Sequence, residues 1–279
     1  MKNPDELGQA IEKVAADAQT VAVAVAVRDY ESGFEFQLNG NRPFHAASTI
    51  KVAVLLAVFR AIDDGRFQAD DPLHVRNRFR SAVGGTPFRL DSESDGYPQL
   101  YKLTGRTAKI SELADVMITS SSNLATNLLL DFVTVDYARD VLHQAGVSGV
   151  DLKRGVDDEK AFGAGQNNET TAQGLVDLFG VLRGEFLSKT SRDAAIAILL
   201  RQRFDSMIPA KLPPHVTVAH KTGEISTACH DAGIVYVPER QPYVVAILTE
   251  VKSDADQRRE TVAKISKAIF DFVVEQPAP

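Results

Sequence analysis

The 279-residue sequence contains a single cysteine, Cys229, and has no stripe of basic side chains. One cysteine excludes an internal disulfide bond. A formal net charge of −6 without a lysine- or arginine-rich face argues against nucleic acid as the main partner. The longest apolar runs are shorter than the roughly 20 residues that span a bilayer, so no membrane partner is expected. The histidines show no metal-ligand spacing, and the sequence predicts neither a metal ion nor another cofactor.

The first residues also lack a basic segment followed by an apolar one, which is the pattern of a secretory leader. We therefore expect a cytoplasmic location for the chain as written, and a periplasmic or secreted one if a leader has been removed. No protein partner is implied by the sequence.

The composition that is present, 44% hydrophobic and 24% charged residues, is that of a globular protein with a large core. Alternating apolar residues predict strands near both ends of the chain, and helical spacing fills the middle. The pattern predicts an α/β fold of the α+β type, with an antiparallel sheet lobe built from both termini and an inserted all-helical lobe. We expect one domain over residues 1–279, with the sheet lobe at 1–47 and 184–279 and the helical lobe at 48–183.

A serine and a lysine three residues apart stand at the start of a long apolar run. Ser48 and Lys51 precede residues 52–59, and the run ends at Asp63-Asp64-Gly65, which predicts a buried helix closed by a glycine. Residues three apart share a helical face, so the ammonium of Lys51 can reach the hydroxyl of Ser48. Desolvation would lower the pKa of Lys51, and the neutral amine could then take the proton of Ser48. This pattern predicts a nucleophile with its own base.

Two further polar motifs occur later in the chain. Ser121-Ser122-Asn123 lies at a predicted break between helices, and His220-Lys221-Thr222-Gly223 lies at the predicted end of a strand that begins at Val216. A glycine there lets a ligand approach the backbone closely. At average residue frequencies, S-x-x-K, S-x-N and K-T-G in this order occur by chance in roughly 2% of chains of this size. The three motifs together are therefore specific, although each alone is weak.

In this order the motifs resemble the signature of the class A β-lactamase and penicillin-binding-protein superfamily. Residues 43–52 are similar to its nucleophile segment, residues 117–130 to its second-motif helix, and the resemblance covers most of residues 20–275. It implies a serine hydrolase that acts through an acyl-enzyme at Ser48. The reaction implied most directly is hydrolysis of β-lactam amides, with a small-molecule β-lactam or a related amide or ester as substrate.

The resemblance also implies a role for each matching residue. In the catalytic set, Ser48 would be the acylated nucleophile and Lys51 its proton partner. Ser121 would donate a proton to the leaving nitrogen, and Lys221 would hold Ser121 and the substrate carboxylate electrostatically. In the substrate-binding set, the amide of Asn123 would contact the substrate side chain and the hydroxyl of Thr222 its carboxylate. Two further residues, Gly223 and Glu224, complete this set. Backbone N–H groups of Ser48 and Glu224 would form the oxyanion hole.

The sequence departs from the family where the deacylating glutamate is expected. Val156 takes that position, and Asp157, Asp158 or Glu159 replaces the glutamate only if the loop is re-registered. An acidic run in a loop is more often solvated than catalytic. His230 has two interpretations, a structural histidine or a group that helps to bind a substrate carboxylate.

Two alternative functions therefore stay open. The first keeps the fold but changes the substrate, giving an esterase or D-alanyl peptide hydrolase with little β-lactamase turnover. The second is a penicillin- or peptide-binding domain that is acylated once and does not turn over. A carboxylate within one water molecule of Ser48 favours turnover, and its absence favours the alternatives.

Overall fold

The structure is a computed structural model that describes residues 3–252 and 255–276. Its α-helices are α1 (Pro4–Asp17), α2 (Lys51–Asp63), α3 (Ile110–Thr119), α4 (Asn123–Val133), α5 (Val135–Gln144), α6 (Glu159–Gly163), α7 (Ala172–Arg183), α8 (Lys189–Leu199) and α9 (Ala255–Val274). Its strands are β1 (Ala22–Asp29), β2 (Glu35–Leu38), β3 (Phe44–His45), β4 (Pro72–His74), β5 (Phe79–Arg80), β6 (Pro87–Phe88), β7 (Thr107–Lys109), β8 (Val150–Asp151), β9 (Glu169–Thr170), β10 (Thr217–Ile225), β11 (Ala228–Tyr236) and β12 (Tyr243–Glu250).

The chain divides into two compact units. The sheet unit contains the residues up to Thr49, Thr170–Gly180 and the residues from Phe204 onward, and the helical unit contains Ile50–Glu169 and Val181–Arg203. The sequence-based division placed 184–203 in the sheet lobe and 170–180 in the helical lobe, whereas the structure has 184–203 in the helical unit and Thr170–Gly180 in the sheet unit. The helix of 184–203, α8, packs against α2 and α3, which explains its grouping.

The sheet unit is built on five antiparallel strands in the order β10-β11-β12-β1-β2. Strands from the two ends of the chain lie side by side, because β1 pairs with β12 along its whole length, from Ala22 opposite Glu250 to Asp29 opposite Tyr243. The predicted α/β fold with an antiparallel sheet from both termini is confirmed.

One face of this sheet is covered by the first and last helices. Successive residues of a strand point to opposite faces, so alternate valines of β1 lie on the same side. They join the apolar faces of α1 and α9 in one buried core, whose members include Leu7, Ile11, Val23, Val25, Val27, Val262, Ile265 and Ile269. Cys229 is also buried there, with its Sγ 3.8 Å from Sδ of Met207, and burial raises the pKa of its thiol to about 12.

The predicted strand limits around the third motif are wrong. The motif does not end a strand, because β10 continues through it to Ile225, and the next strand, β11, begins at Ala228. The two strands pair along all nine residues of β10, across a turn of only two residues. Polar residues inside the pairing region concealed it, since they interrupt the apolar alternation that marks a strand.

The helical unit is organised around α2. Nearly all of its side chains are buried, and α3, α4, α5 and α8 pack around it. A helix that is hydrophobic on all sides is stable only inside a core, where each large aliphatic side chain contributes about 1.5–3 kcal/mol. The predicted buried helix is thereby confirmed, as is its end, since Gly65 follows in the left-handed conformation with φ +72°. No helix within the described residues is long and apolar enough to cross a membrane.

Candidate active site

Ser48 lies in a strained turn of the sheet unit. The turn is a 3-10 segment, Ala47–Ile50, and the α-helix begins only at Lys51, so the expectation that Ser48 opens the α-helix itself is corrected. Ala47 has φ +46°, which is unfavourable for a residue with a side chain and costs of order 1–3 kcal/mol. The turn is held by the N–H of Ala47, which donates to Nδ1 of His45 at 3.0 Å. Ser48 itself stays partly exposed.

Strand β10 passes directly against this turn at Gly223. A Cβ built on Gly223 would lie 2.9 Å from the backbone nitrogen of Thr49 and 3.1 Å from that of Ser48. Glycine is therefore required for this contact, which is made by the chain's own backbone, whereas from the sequence we expected the glycine to admit a ligand. The N–H of Ser48, one of the two predicted oxyanion-hole donors, lies beside the edge strand of the sheet.

The other residues of the third motif are buried in the same strand. Lys221 is fully buried, and its Nζ donates to the carbonyl oxygen of Thr222 at 2.8 Å. Glu224 forms ion pairs of 2.9 Å with both Arg258 and Arg259 of α9. Its carboxylate is thus held within the sheet unit, and only its backbone N–H remains as a predicted site group.

His230 and the residue after it are structural. Nδ1 of His230 accepts the N–H of Thr249 at 3.1 Å, so Nε2 carries the proton and donates to the carbonyl of His45 at 3.0 Å. Burial lowers the pKa of His230 to about 4, which keeps it neutral. Asp231 is fully buried against the ring of His220 and the N–H of Ile208. The carboxylate-binding interpretation of His230 is therefore not supported by its contacts, which fix the strand that leads to Ser48.

Lys51 is fully buried in the helical unit, where its three N–H groups meet three acceptors. Nζ donates to the carbonyl of Ser121 at 2.7 Å, to Oγ of Ser121 at 3.1 Å and to Oδ1 of Asn123 at 2.6 Å. Burial lowers the pKa of Lys51 to about 7, although the nearby carboxylates of Asp95 and Asp157 oppose the shift. The structure thus joins three of the predicted site residues in one network.

The chemistry of this network follows from its donors. A carbonyl oxygen and the Asn123 oxygen can only accept hydrogen bonds, whereas the hydroxyl of Ser121 can also donate. When Lys51 loses a proton, its lone pair can therefore be satisfied by the Ser121 hydroxyl. The contact is suited to pass a proton between Lys51 and Ser121.

Ser121 is placed by a tight turn between α3 and α4. Its φ is +58°, and Ser122 caps α4 by accepting the N–H of Ala125 at 3.2 Å. Asp95 supports the turn from outside the motif, since its buried carboxylate accepts the N–H of Leu124 at 2.8 Å. Gly96 is needed for this approach, because an added Cβ would lie 1.8 Å from the carbonyl oxygen of Ser120. Sequence reasoning missed Asp95, and an Asp-Gly pair was the one local signal.

The loop of the missing glutamate is anchored on α4. Asn127 holds the backbone of Val156 from both sides, accepting its N–H at 2.8 Å and donating to its carbonyl at 2.9 Å. Arg154 supports the loop by donating to the carbonyl of Gln166 at 2.7 Å. The backbone at position 156 is thus fixed, but its side chain is a valine and carries no carboxylate.

The three acids that follow Val156 have different surroundings. Asp157 accepts a 2.6 Å hydrogen bond from Nδ2 of Asn123. Asp158 is buried and caps α6 by accepting the N–H of Ala161 at 3.1 Å, while Glu159 is exposed in the first turn of α6. Within the described part of the chain, Asp157 is the one of the three that contacts a predicted site residue. No cluster of histidine, cysteine and carboxylate side chains among the described residues could hold a metal ion.

Comparison with known proteins agrees with this geometry. A β-lactamase of Bacteroides uniformis is 23% identical over 270 residues, covering 90% of this chain and 86% of the relative. Two solved structures resemble the fold closely. A substituted PBP-A, solved as its acyl-enzyme complex with penicillin G, is 26% identical with a TM-score of 0.82, covering 98% of this chain and 97% of that one. A β-lactamase from Sphaerobacter thermophilus is 26% identical with a TM-score of 0.83, covering 99% and 100% of the two chains.

The fold and the three motifs define a serine hydrolase of the β-lactamase and penicillin-binding-protein superfamily. More narrowly, the chain belongs to the beta-lactamase enzyme family, whose sequence model matches residues 6–273.

Proposed function

We propose that the protein hydrolyses β-lactam amides, or a related amide or ester, through an acyl-enzyme at Ser48. The observation that carries this proposal is Lys51, which is fully buried, bonded to Ser121 and Asn123, and placed three residues after the serine. A lysine whose pKa is lowered to about 7 is present as a neutral amine in a large fraction near neutral pH. Such an amine can act as a general base.

Acyl transfer then proceeds in two proton movements. Oγ of Ser48 attacks the carbonyl carbon of the substrate while its proton passes to the neutral amine of Lys51. As the C–N bond breaks, the leaving nitrogen takes the proton of the Ser121 hydroxyl, and Ser121 regains one from Lys51. The products of this half-reaction are a Ser48 ester and an amine, and hydrolysis of the ester by water releases the acid and restores the serine.

The remaining predicted residues serve binding in this proposal. Asn123 contacts the amide of the substrate side chain, and Lys221 with Thr222 contacts its carboxylate. Gly223 admits the substrate backbone to the edge of β10, and the N–H groups of Ser48 and Glu224 stabilise the oxyanion. Each such donor contributes about 2.7–4 kcal/mol to the transition state in other hydrolases. The substrate class is that of a small molecule with a strained or activated acyl group and a carboxylate.

A second candidate is acylation with slow turnover, and Val156 favours it. Deacylation needs a base for the attacking water, and a positioned base accelerates such a step by typically 10²–10⁴-fold. The backbone of position 156 is fixed by Asn127, so the valine cannot be exchanged for a carboxylate by a local slip of the loop. In this case the protein is a hydrolase of another ester or D-alanyl peptide, or a binding domain that is acylated once.

The intact mass of the protein, followed in time after mixing with a penicillin, separates these functions when cephalosporin hydrolysis is measured in parallel. A transient adduct with steady hydrolysis supports a working β-lactamase, and a stable adduct without hydrolysis supports the second candidate. The matched control is Ser48→Ala, which removes the nucleophile without adding bulk. Labelling that persists in Ser48→Ala would refute the assignment of the nucleophile, and no adduct with the unaltered protein would remove β-lactams from the function.

A further inference from the structure

The oxygen and the nitrogen of the Asn123 side-chain amide each form a hydrogen bond with an ionisable side chain. Its oxygen accepts from Nζ of Lys51 and its nitrogen donates to Oδ2 of Asp157, each at 2.6 Å. If the amide were rotated by 180°, its NH₂ group would face the ammonium and its oxygen would face the carboxylate, and both contacts would become repulsive. Lys51 and Asp157 therefore fix one orientation of Asn123 together.

Asp157 reaches Asn123 through an unusual backbone conformation. Its φ is +54°, in the left-handed region, directly after the clamped backbone of Val156. Aspartate and asparagine tolerate this region better than other residues with side chains, but it still has a cost. A strained conformation of this kind persists where packing and hydrogen bonds of the surrounding structure hold it in place, and such positions are frequent at functional sites. Here the left-handed residue turns the carboxylate of position 157 toward the network of Lys51.

The charges that act on Lys51 come from two further segments of the helical unit. Asp95 approaches from the segment before the 3-10 helix Pro98–Leu103, and Asp157 from the loop that follows Val156; both favour the protonated form of Lys51, whereas burial opposes it. Asp95 is buried and bonded to the N–H groups of Tyr97 and Leu124, so its role is tied to the fold. Asp157 differs from it because its carboxylate is exposed and its hydrogen bond goes to a site residue.

We infer that Asp157 is a positioning residue that locks the amide of Asn123 and, through it, sets the pH range in which Lys51 serves as the base for Ser48. The part concerning Ser48 rests on the proposed function. The part concerning Lys51 and Asn123 rests on contacts within the helical unit. Asp157 thus acts on acylation, and it does not take over the chemistry of the missing glutamate.

The direct test is an NMR titration of Lys51 with ¹³C-labelled lysine, in which the signal is assigned by its loss in Lys51→Met. In Asp157→Asn the negative charge is lost and asparagine keeps the left-handed backbone, so we expect the midpoint of Lys51 to fall by about 0.5–1 pH units. Asp157→Gly removes the hydrogen bond as well and also tolerates the backbone, so it should give at least the same change. The control is Glu159→Gln, which removes an exposed acid two residues away in the first turn of α6 and should leave the midpoint unchanged.

The second measurement is the rate of penicillin acylation between pH 5.5 and 9, with the decay of the acyl-enzyme followed separately. We expect the rising limb of acylation to move to lower pH in Asp157→Asn by the same amount as the midpoint of Lys51. An unmoved midpoint in both Asp157 variants would overturn the inference. An unchanged acylation profile with slower decay of the acyl-enzyme would also overturn it, because Asp157 would then act on the hydrolytic water. If the unaltered protein forms no adduct but the Lys51 midpoint still moves, the proposed function fails while the positioning of Lys51 by Asp157 stands.

Discussion

The contact between Gly223 and the Ser48 turn gives the most direct prediction, because one added methyl group perturbs it. Gly223 has no positive φ, so alanine can adopt its backbone without strain. The cost is then steric: the new Cβ would lie 2.9 Å from the nitrogen and Cγ2 of Thr49 and 3.1 Å from the nitrogen of Ser48. Ordinary contacts of this kind begin at 3.4 Å. The turn and the strand must therefore separate by about 0.5 Å, which in a packed interior costs about 1–3 kcal/mol.

The effect on acylation should be larger than the effect on stability. A displacement approaching 1 Å at a reacting group can cost about 10² in rate. The same displacement weakens the Ser48 N–H as an oxyanion donor, a loss of about 10²–10³ when complete. We expect Gly223→Ala to lower the second-order rate of penicillin acylation by about 10- to 100-fold at a temperature where the variant is fully folded.

The assay combines the acylation rate from intact mass with thermal unfolding of the same samples. Gly8→Ala is the control in the same unit, since its added Cβ would lie 3.9 Å from Cζ of Phe36, which is an ordinary van der Waals distance. Gly8→Ala should acylate at the rate of the unaltered protein. If Gly223→Ala acylates within twofold of that rate while remaining folded, the strand does not position the nucleophile and the reasoning fails.

Three more predictions concern proton transfer, turnover and the support of the nucleophile. Because the pKa of Lys51 is lowered to about 7 and its neutral form is the base, acylation should rise roughly tenfold from pH 6 to pH 8 in rapid-mixing assays, and a flat profile would exclude this base. Val156→Glu should shorten the lifetime of the acyl-enzyme at least tenfold, as measured by the decay of the adduct mass. Val156→Gln, whose side chain has the shape of glutamate without the carboxylate, should not shorten it. His230→Phe should lower the free energy of unfolding by about 2–5 kcal/mol in denaturant titrations, because it removes the two buried hydrogen bonds of the imidazole with the N–H of Thr249 and the carbonyl of His45. The folded-state pKa of His230 is lowered to about 4, so the unaltered protein should lose stability as the pH falls from about 6.5 to 4, and the variant should lack that contribution.

The fold and the motif positions could be predicted because periodic patterns determine them. The apolar run after Lys51 gives a helix, since its length and its terminal glycine leave few alternatives. Strands near both ends of the chain and their place in one sheet were predicted because apolar alternation marks them. The structure adds that β1 and β12 pair directly, which joins residues more than 200 positions apart. The length of β10 was underestimated, because the polar and small residues in its pairing region with β11 interrupt the apolar alternation by which a strand is predicted.

The parts of the candidate site that escaped prediction are set by single long-range hydrogen bonds. The bond from Leu124 to Asp95 spans 29 residues, and the bond from Asn123 to Asp157 spans 34. Neither requires a periodic pattern on either side. Which of Asp157, Asp158 and Glu159 contacts the site likewise depends on the left-handed backbone at Asp157. Aspartate tolerates that conformation, but its presence in a sequence does not predict it.

Acylation and turnover place separate demands on this chain, and its residues meet them unequally. In the proposed mechanism, acylation requires a base, a proton path and an oriented amide, and these roles are assigned to Lys51, Ser121 and Asn123, which form one hydrogen-bonded network. Turnover requires a further base at the position that Asn127 clamps, and Val156 supplies none. The nearest acid to that position in sequence, Asp157, is directed to Asn123 by a hydrogen bond of 2.6 Å. Because the carboxylate of Asp157 is hydrogen-bonded to Asn123, it supports the network of Lys51. The contacts of this site therefore favour formation of the acyl-enzyme over its hydrolysis.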